Sequence, residues 1–185
     1  MTWRRALRWL ATLVVLAVLG WLLYPYARQA VRVAGLIRAP APAALPVPVE
    51  GVEPAQLANT WGAARSEGRT HEGIDIFAPR HTQVLAATQG IVMRRGWNRL
   101  GGRTISILGP GGQVHYYAHL EEYDDPDLGD WVEPGEVIGY VGDSGNAQGT
   151  PPHLHYGIYE GGEAVNPYPR LRRGPWPSPA ASPPR

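Results

Sequence analysis

Pro151-Pro152-His153-Leu154-His155-Tyr156-Gly157-Ile158-Tyr159 decides how this chain is read. The run has the look of a β-strand, and in a strand residues i and i+2 point to the same face. His153, His155, Gly157 and Tyr159 then share one face, while Leu154, Tyr156 and Ile158 share the other. The second face suits a core, and Gly157 leaves room beside His155. Upstream, His71-Glu72-Gly73-Ile74-Asp75 and Tyr117-Ala118-His119-Leu120 bring the set to four histidines and one aspartate. That set suffices for a three-ligand metal with one open position, and leaves two imidazoles for proton chemistry.

Working outward, the surroundings read as short strands between glycine-rich turns. Candidate strands are Gln83–Ala87, Gly90–Trp97, Arg103–Leu108, Gln113–Leu120 and Val137–Val141. Ile74–Phe77 forms a short segment able to turn His71 and Asp75 inward. Turn signals fall at Gly101-Gly102, at Gly109 to Gly112 and from Gly142 to Gly149. Many short strands with such punctuation predict a mainly β domain, an antiparallel sandwich or barrel-sandwich. Alternation in the strand ending at Leu120 puts His115, Tyr117 and His119 on a polar face. Val114, Tyr116, Ala118 and Leu120 then form the core face, and His115 is expected to face solvent.

Composition narrows the chemistry. The chain has 185 residues and no cysteine, so a metal must be held by histidine and carboxylate. All 16 acidic residues lie within 50–173, against 10 arginines, so this region is acidic. A nucleic-acid partner is disfavoured, because phosphate binding needs a basic face. The acidic stretch Glu121, Glu122, Asp124, Asp125, Asp127 and Asp130 lacks the spacing and glycine of an EF-hand and reads as a solvated loop. Gly142-Asp143-Ser144-Gly145-Asn146 reads as a turn near the cleft. A biotinyl or lipoyl carrier domain would need a lysine, and the chain has none.

The amino-terminal part differs in kind. Arg4, Arg5 and Arg8 precede an uncharged run from Trp9 to Tyr24, and extension to Tyr26 gives about 27 Å of helix, near the thickness of a bilayer core. Trp9, Trp21, Tyr24 and Tyr26 sit towards the ends, as interfacial aromatics do. The division predicted is an amino-terminal segment 1–8, a transmembrane anchor 9–26, a juxtamembrane and Pro-rich spacer 27–49, a globular domain 50–173 and a disordered Pro-rich tail 174–185. A cleaved signal peptide is the rival, with the small residues Ala39-Pro40-Ala41 following the run. If extended, residues 39–49 would span about 34 Å.

Residues 59–169 resemble the lysostaphin-type zinc endopeptidases of bacterial peptidoglycan. The likeness rests on Trp61-Gly62, Arg65, Gly68-Arg69, His71 to Pro79, Val84 to Ala87 and Tyr117-Ala118-His119-Leu120. It continues through Ile138 to Gly142, Gly145-Asn146-Ala147, Gly149 to His155 and Asn166-Pro167-Tyr168. His81 departs from the pattern, standing where many relatives have glycine in a turn. The resemblance implies one zinc per chain on His71, Asp75 and His155, with His119 and His153 as the catalytic pair. Arg65, Arg69 and Tyr117 become candidates for substrate contact. It also implies peptidoglycan peptides as substrate and hence a single-pass inner-membrane protein with its domain on the periplasmic side. A metal-free wall-binding or amidase-regulating module on the same fold is the alternative, although such relatives lose ligands and none is missing here.

Overall fold

The computed structural model describes residues 3–174. The tail expected from Gly174 onward therefore lies, apart from Gly174 itself, outside the described residues. The chain divides into a helical unit up to Gly35 and a β unit from Leu36 onward.

Helix α1 runs from Trp3–Arg38, 36 residues, with Pro25 inside it. Leucine and alanine favour the helix, and Pro25 costs it one backbone hydrogen bond. It is longer than the 9–26 span predicted, continuing through Arg28 and Arg32. Its length and apolar composition are those of a membrane span or a signal sequence.

The Pro-rich spacer ends earlier than expected. Leu45, Val47 and Val49 are fully buried in the core of the β unit. Prolines at 46 and 48 keep the chain extended, and period-2 alternation then turns the three apolar side chains inward. Leu45 N donates to Arg170 O (3.1 Å), Leu85 N to Pro48 O (3.0 Å) and Glu50 N to Gln83 O (3.0 Å). The domain thus begins at about Leu45 rather than at residue 50, and only residues 39–44 remain of the spacer.

Among the described residues nine strands, all antiparallel where they pair, make the body. They are β1 Ile74–Phe77, β2 Gln83–Leu85, β3 Gly90–Asn98, β4 Gly102–Leu108, β5 Val114–Tyr123, β6 Trp131–Val132, β7 Val137–Val141, β8 His153–Glu160 and β9 Glu163–Val165. A short helix α2, Tyr168–Leu171, closes the domain. The main path through the sheet is β1-β8-β5-β4-β3-β6, and β2 pairs with β7. Strand β5 holds β4 along one edge, and along the other it pairs first with β8 (residues 114–118) and then with β7 (residues 120–123). The core under this sheet is Ile74, Ile76, Ile105, Ile107, Leu120, Ile138, Leu154, Ile158 and their neighbours. At the departure noted in the sequence, His81 has φ 66°, the left-handed region that glycine enters most easily. The turn is tied to β7 through His81 N, bonded to Val141 O at 2.9 Å.

Candidate active site

Register brings the first group together. Asp75 on β1 lies directly opposite His155 on β8, and Phe77 lies opposite His153. His71 stands just ahead of β1, so one ligand atom from each of His71, Asp75 and His155 falls within 4.8 Å of the others. His71 Nε2 is 3.0 Å from Asp75 Oδ1 and 2.8 Å from His155 Nδ1, and His155 Nδ1 is 3.3 Å from Asp75 Oδ1. His71 Nδ1 lies 2.7 Å from Thr60 O. A carbonyl only accepts, so Nδ1 carries the proton and Nε2 offers its lone pair to the cluster. Thr60 also accepts the Asp75 backbone N–H on its hydroxyl (3.0 Å), tying both residues to one support. Nothing in the sequence pattern marked Thr60, whose contacts lie 11 and 15 residues on.

The second group is the pair of remaining imidazoles. His153 Nδ1 donates to Pro151 O (2.8 Å) and His119 Nδ1 to Ser144 O (2.9 Å). The same carbonyl logic puts a proton on both Nδ1 atoms and turns both Nε2 atoms away from these backbone anchors, and both rings line the cleft with centroids 5.0 Å apart. His119 has φ 64° and sits where β5 stops pairing with β8 and begins pairing with β7. Register shifts flank it on both partner strands. Such a bulge re-aims a side chain, and here it puts Ala118 and His119 on the cleft side in succession. Ser144 clamps the bulge: its hydroxyl donates to Leu120 O (2.7 Å) and accepts from Arg103 N (2.9 Å). The turn at 142–146, expected near the cleft, is therefore part of the site, although its composition did not mark Ser144 as the residue that holds His119.

That bulge overturns the face assignment for β5. His115 and Tyr117 are fully buried, and Tyr116 lines the cleft in their stead. Tyr117 is a core residue whose hydroxyl accepts from Ala87 N (2.9 Å), so it is no substrate contact. His115 does not face solvent; its Nδ1 meets the Tyr156 hydroxyl at 2.7 Å. Tyr116, assigned to the core, instead has its ring 6.0 Å from that of His155 and its hydroxyl 3.3 Å from Asn98 Nδ2. On β8 the predicted faces are the observed ones. Arg65 and Arg69 both line the cleft; Arg65 binds the Asp75 carboxylate, and Arg69 donates to Ser66 Oγ (3.2 Å).

The cleft encloses about 870 Å³, enough for a peptide segment. Its electrostatics favour neutral imidazole beside an ionised carboxylate. Burial alone would raise the Asp75 carboxyl, but hydrogen bonds from His155 and His71, and their charge, hold it well below the usual carboxylate range. Burial lowers His155 against the opposing pull of Asp75, and lowers His119 to about 4 against its bond to Ser144. Neutral histidine is the state in which it ligates a metal or takes up a proton.

Two imidazoles and one carboxylate, with His71 and Asp75 anchored from behind and with no thiolate, are a donor set able to hold a metal ion. The chain belongs to peptidase family M23, whose family model matches residues 69–167. It is 45% identical over 126 residues to the L-Ala--D-Glu endopeptidase of Bacillus subtilis, covering 62% of this chain and 39% of that protein. To the peptidoglycan DD-endopeptidase ShyC of Vibrio cholerae it is 32% identical over 99 residues, covering 54% and 22%. The chain thus spans less than half the length of these curated relatives. The catalytic domain of lysostaphin from Staphylococcus simulans superposes with a TM-score of 0.57 at 30% identity, covering 63% of this chain and 92% of that one.

Proposed function

We propose that this chain is a zinc endopeptidase that cleaves peptide bonds in bacterial peptidoglycan. The observation that carries the reading is the meeting of two further imidazoles, those of His119 and His153, beside the His71–Asp75–His155 donor set. The donors fit the metal: three hard or borderline atoms converge, and His71 is oriented by a backbone carbonyl as ligating histidines are. One zinc per chain, when bound, supplies a Lewis acid that makes water nucleophilic near neutral pH.

The protein's own groups do the rest. Thr60 and the β1–β8 register hold the ligands in place. His119 and His153, both fixed through Nδ1, each present Nε2 to accept a proton from water or to donate one to the leaving amine. Tyr116 and Phe77 wall the cleft. The relatives' named substrates support peptidoglycan as the target. Helix α1 supports a single-pass anchor in the cytoplasmic membrane, with the domain on the periplasmic side where that target lies.

Incubating isolated sacculi with the 185-residue chain in detergent, and mass spectrometry of the products, tests the activity. Fragments with newly cut peptide bonds, absent with His155→Ala, are expected; a zinc-loaded chain releasing none would overturn the reading. Membrane fractionation with protease protection tests the anchor, and a domain shielded on the cytoplasmic side would refute the orientation.

A further inference from the structure

Asp75 offers its two carboxylate oxygens to different partners. Oδ1 faces the imidazoles of His71 and His155 at 3.0 and 3.3 Å. Oδ2 is held by the guanidinium of Arg65. Arg65 is brought there by a tight loop that also carries His71. Within it Gly62 N donates to His71 O (2.9 Å), His71 N to Ala63 O (2.9 Å) and Arg65 N to Arg69 O (2.9 Å), and Ala64 bridges to Thr70. The same backbone bonds therefore set His71 and Arg65, and a side-chain bond links Arg65 to the carboxylate between the histidines. Arg65 is partly exposed while Asp75 is nearly enclosed, so the cation caps the outer oxygen of an inward-facing carboxylate.

We propose that Arg65 is a positioning residue for Asp75, keeping its carboxylate monodentate towards the metal; this rests on the His71–Asp75–His155 reading of the centre. A carboxylate can bind a metal through one oxygen or two. With Oδ2 engaged in a charge-assisted bond, two-oxygen binding would require that bond to break. A one-oxygen Asp75 leaves the tetrahedral position that chemistry needs, whereas a two-oxygen Asp75 would raise the coordination number and crowd it. Arg65 was a candidate for anchoring an anionic substrate group; its commitment to Asp75 gives it this structural duty instead.

The test uses Co²⁺ as a visible probe in the 185-residue chain, purified in detergent, stripped of metal and reloaded. Chelator competition is expected to show Arg65→Gln binding Co²⁺ about 10- to 100-fold more weakly, the usual range for losing an outer-shell partner. The visible bands should also weaken as four-coordinate Co²⁺ becomes five-coordinate, a change that general loss of stability would not produce. Arg65→Lys, which keeps the charge and one donor but not the fork, should fall between. Should the glutamine variant melt early, Arg65→Met keeps the aliphatic stem and must show the same spectral change. Affinity within about threefold of wild type and an unchanged spectrum in these variants would overturn the positioning role and leave the centre standing. A wild-type chain that bound no Co²⁺, or bound it unaltered in His155→Ala, would overturn the centre and the proposal with it.

Discussion

Adding one methyl group at Gly73 should unmake the metal centre. Gly73 lies midway between His71 and Asp75, and a Cβ there would sit 2.5 Å from Tyr156 O, 2.7 Å from His155 Cε1 and 2.9 Å from His155 Nε2. Ordinary contacts are about 3.3 Å for carbon to carbonyl oxygen and about 3.5 Å for carbon to carbon. Gly73→Ala therefore requires Tyr156 O and the His155 ring each to yield by about 0.8 Å. Tyr156 O belongs to the β1–β8 ladder and cannot move alone, so the imidazole and the strand shift together. Ligand distances tolerate only about 0.2 Å. A displacement of this size should weaken zinc by at least about tenfold and turnover by about 10²-fold. Overpacking adds about 1–3 kcal/mol of destabilisation, a melting point lower by several degrees. Zinc titration against a chelator, with thermal melting on the same preparations, measures both. If Gly73→Ala bound zinc within about threefold of wild type and melted at the same temperature, the reasoning from this close approach would be wrong.

Two further outcomes follow from the same geometry. His119→Ala and His153→Ala should each retain zinc yet lose about 10²-fold or more in turnover, as loss of general acid–base catalysis does; loss of metal in His153→Ala as full as in His155→Ala would exchange the roles of those neighbours. His115 lies outside the cleft, and burial, with the Arg170 charge nearby, lowers it to about 3 from its usual 6.5. The fold binds it neutral beside the Tyr156 hydroxyl, while the unfolded chain protonates it below about 6.5, so its contribution is complete above that pH and is lost as pH falls towards 3. At pH 5 the loss is about 2 kcal/mol. Denaturant unfolding at pH 7 and pH 5 should show a smaller pH-dependent loss in His115→Phe by about that amount, and equal losses in the two proteins would refute it.

The sequence by itself determined the antiparallel β class, the approximate strands, the five candidate residues that the fold gathers at one cleft and the like facing of His153 and His155. Those features are local. Period-2 alternation holds along β8 because its ladders with β1 and β5 are regular over the histidines, so facing could be counted residue by residue. The absence of cysteine and lysine closed off other chemistries by composition alone. The same counting failed on β5, because a bulge is set by which strands lie alongside. At His119 the partner changes from β8 to β7, the backbone takes a positive φ, and Tyr116 replaces Tyr117 at the cleft. Residues 45–49 read as a spacer because prolines dominate the local signal; only the core supplied the apolar surface that draws Leu45, Val47 and Val49 inward. Thr60, Ser144 and the tie from Arg65 to Asp75 were likewise decided by tertiary structure, since each joins groups that no local pattern places together.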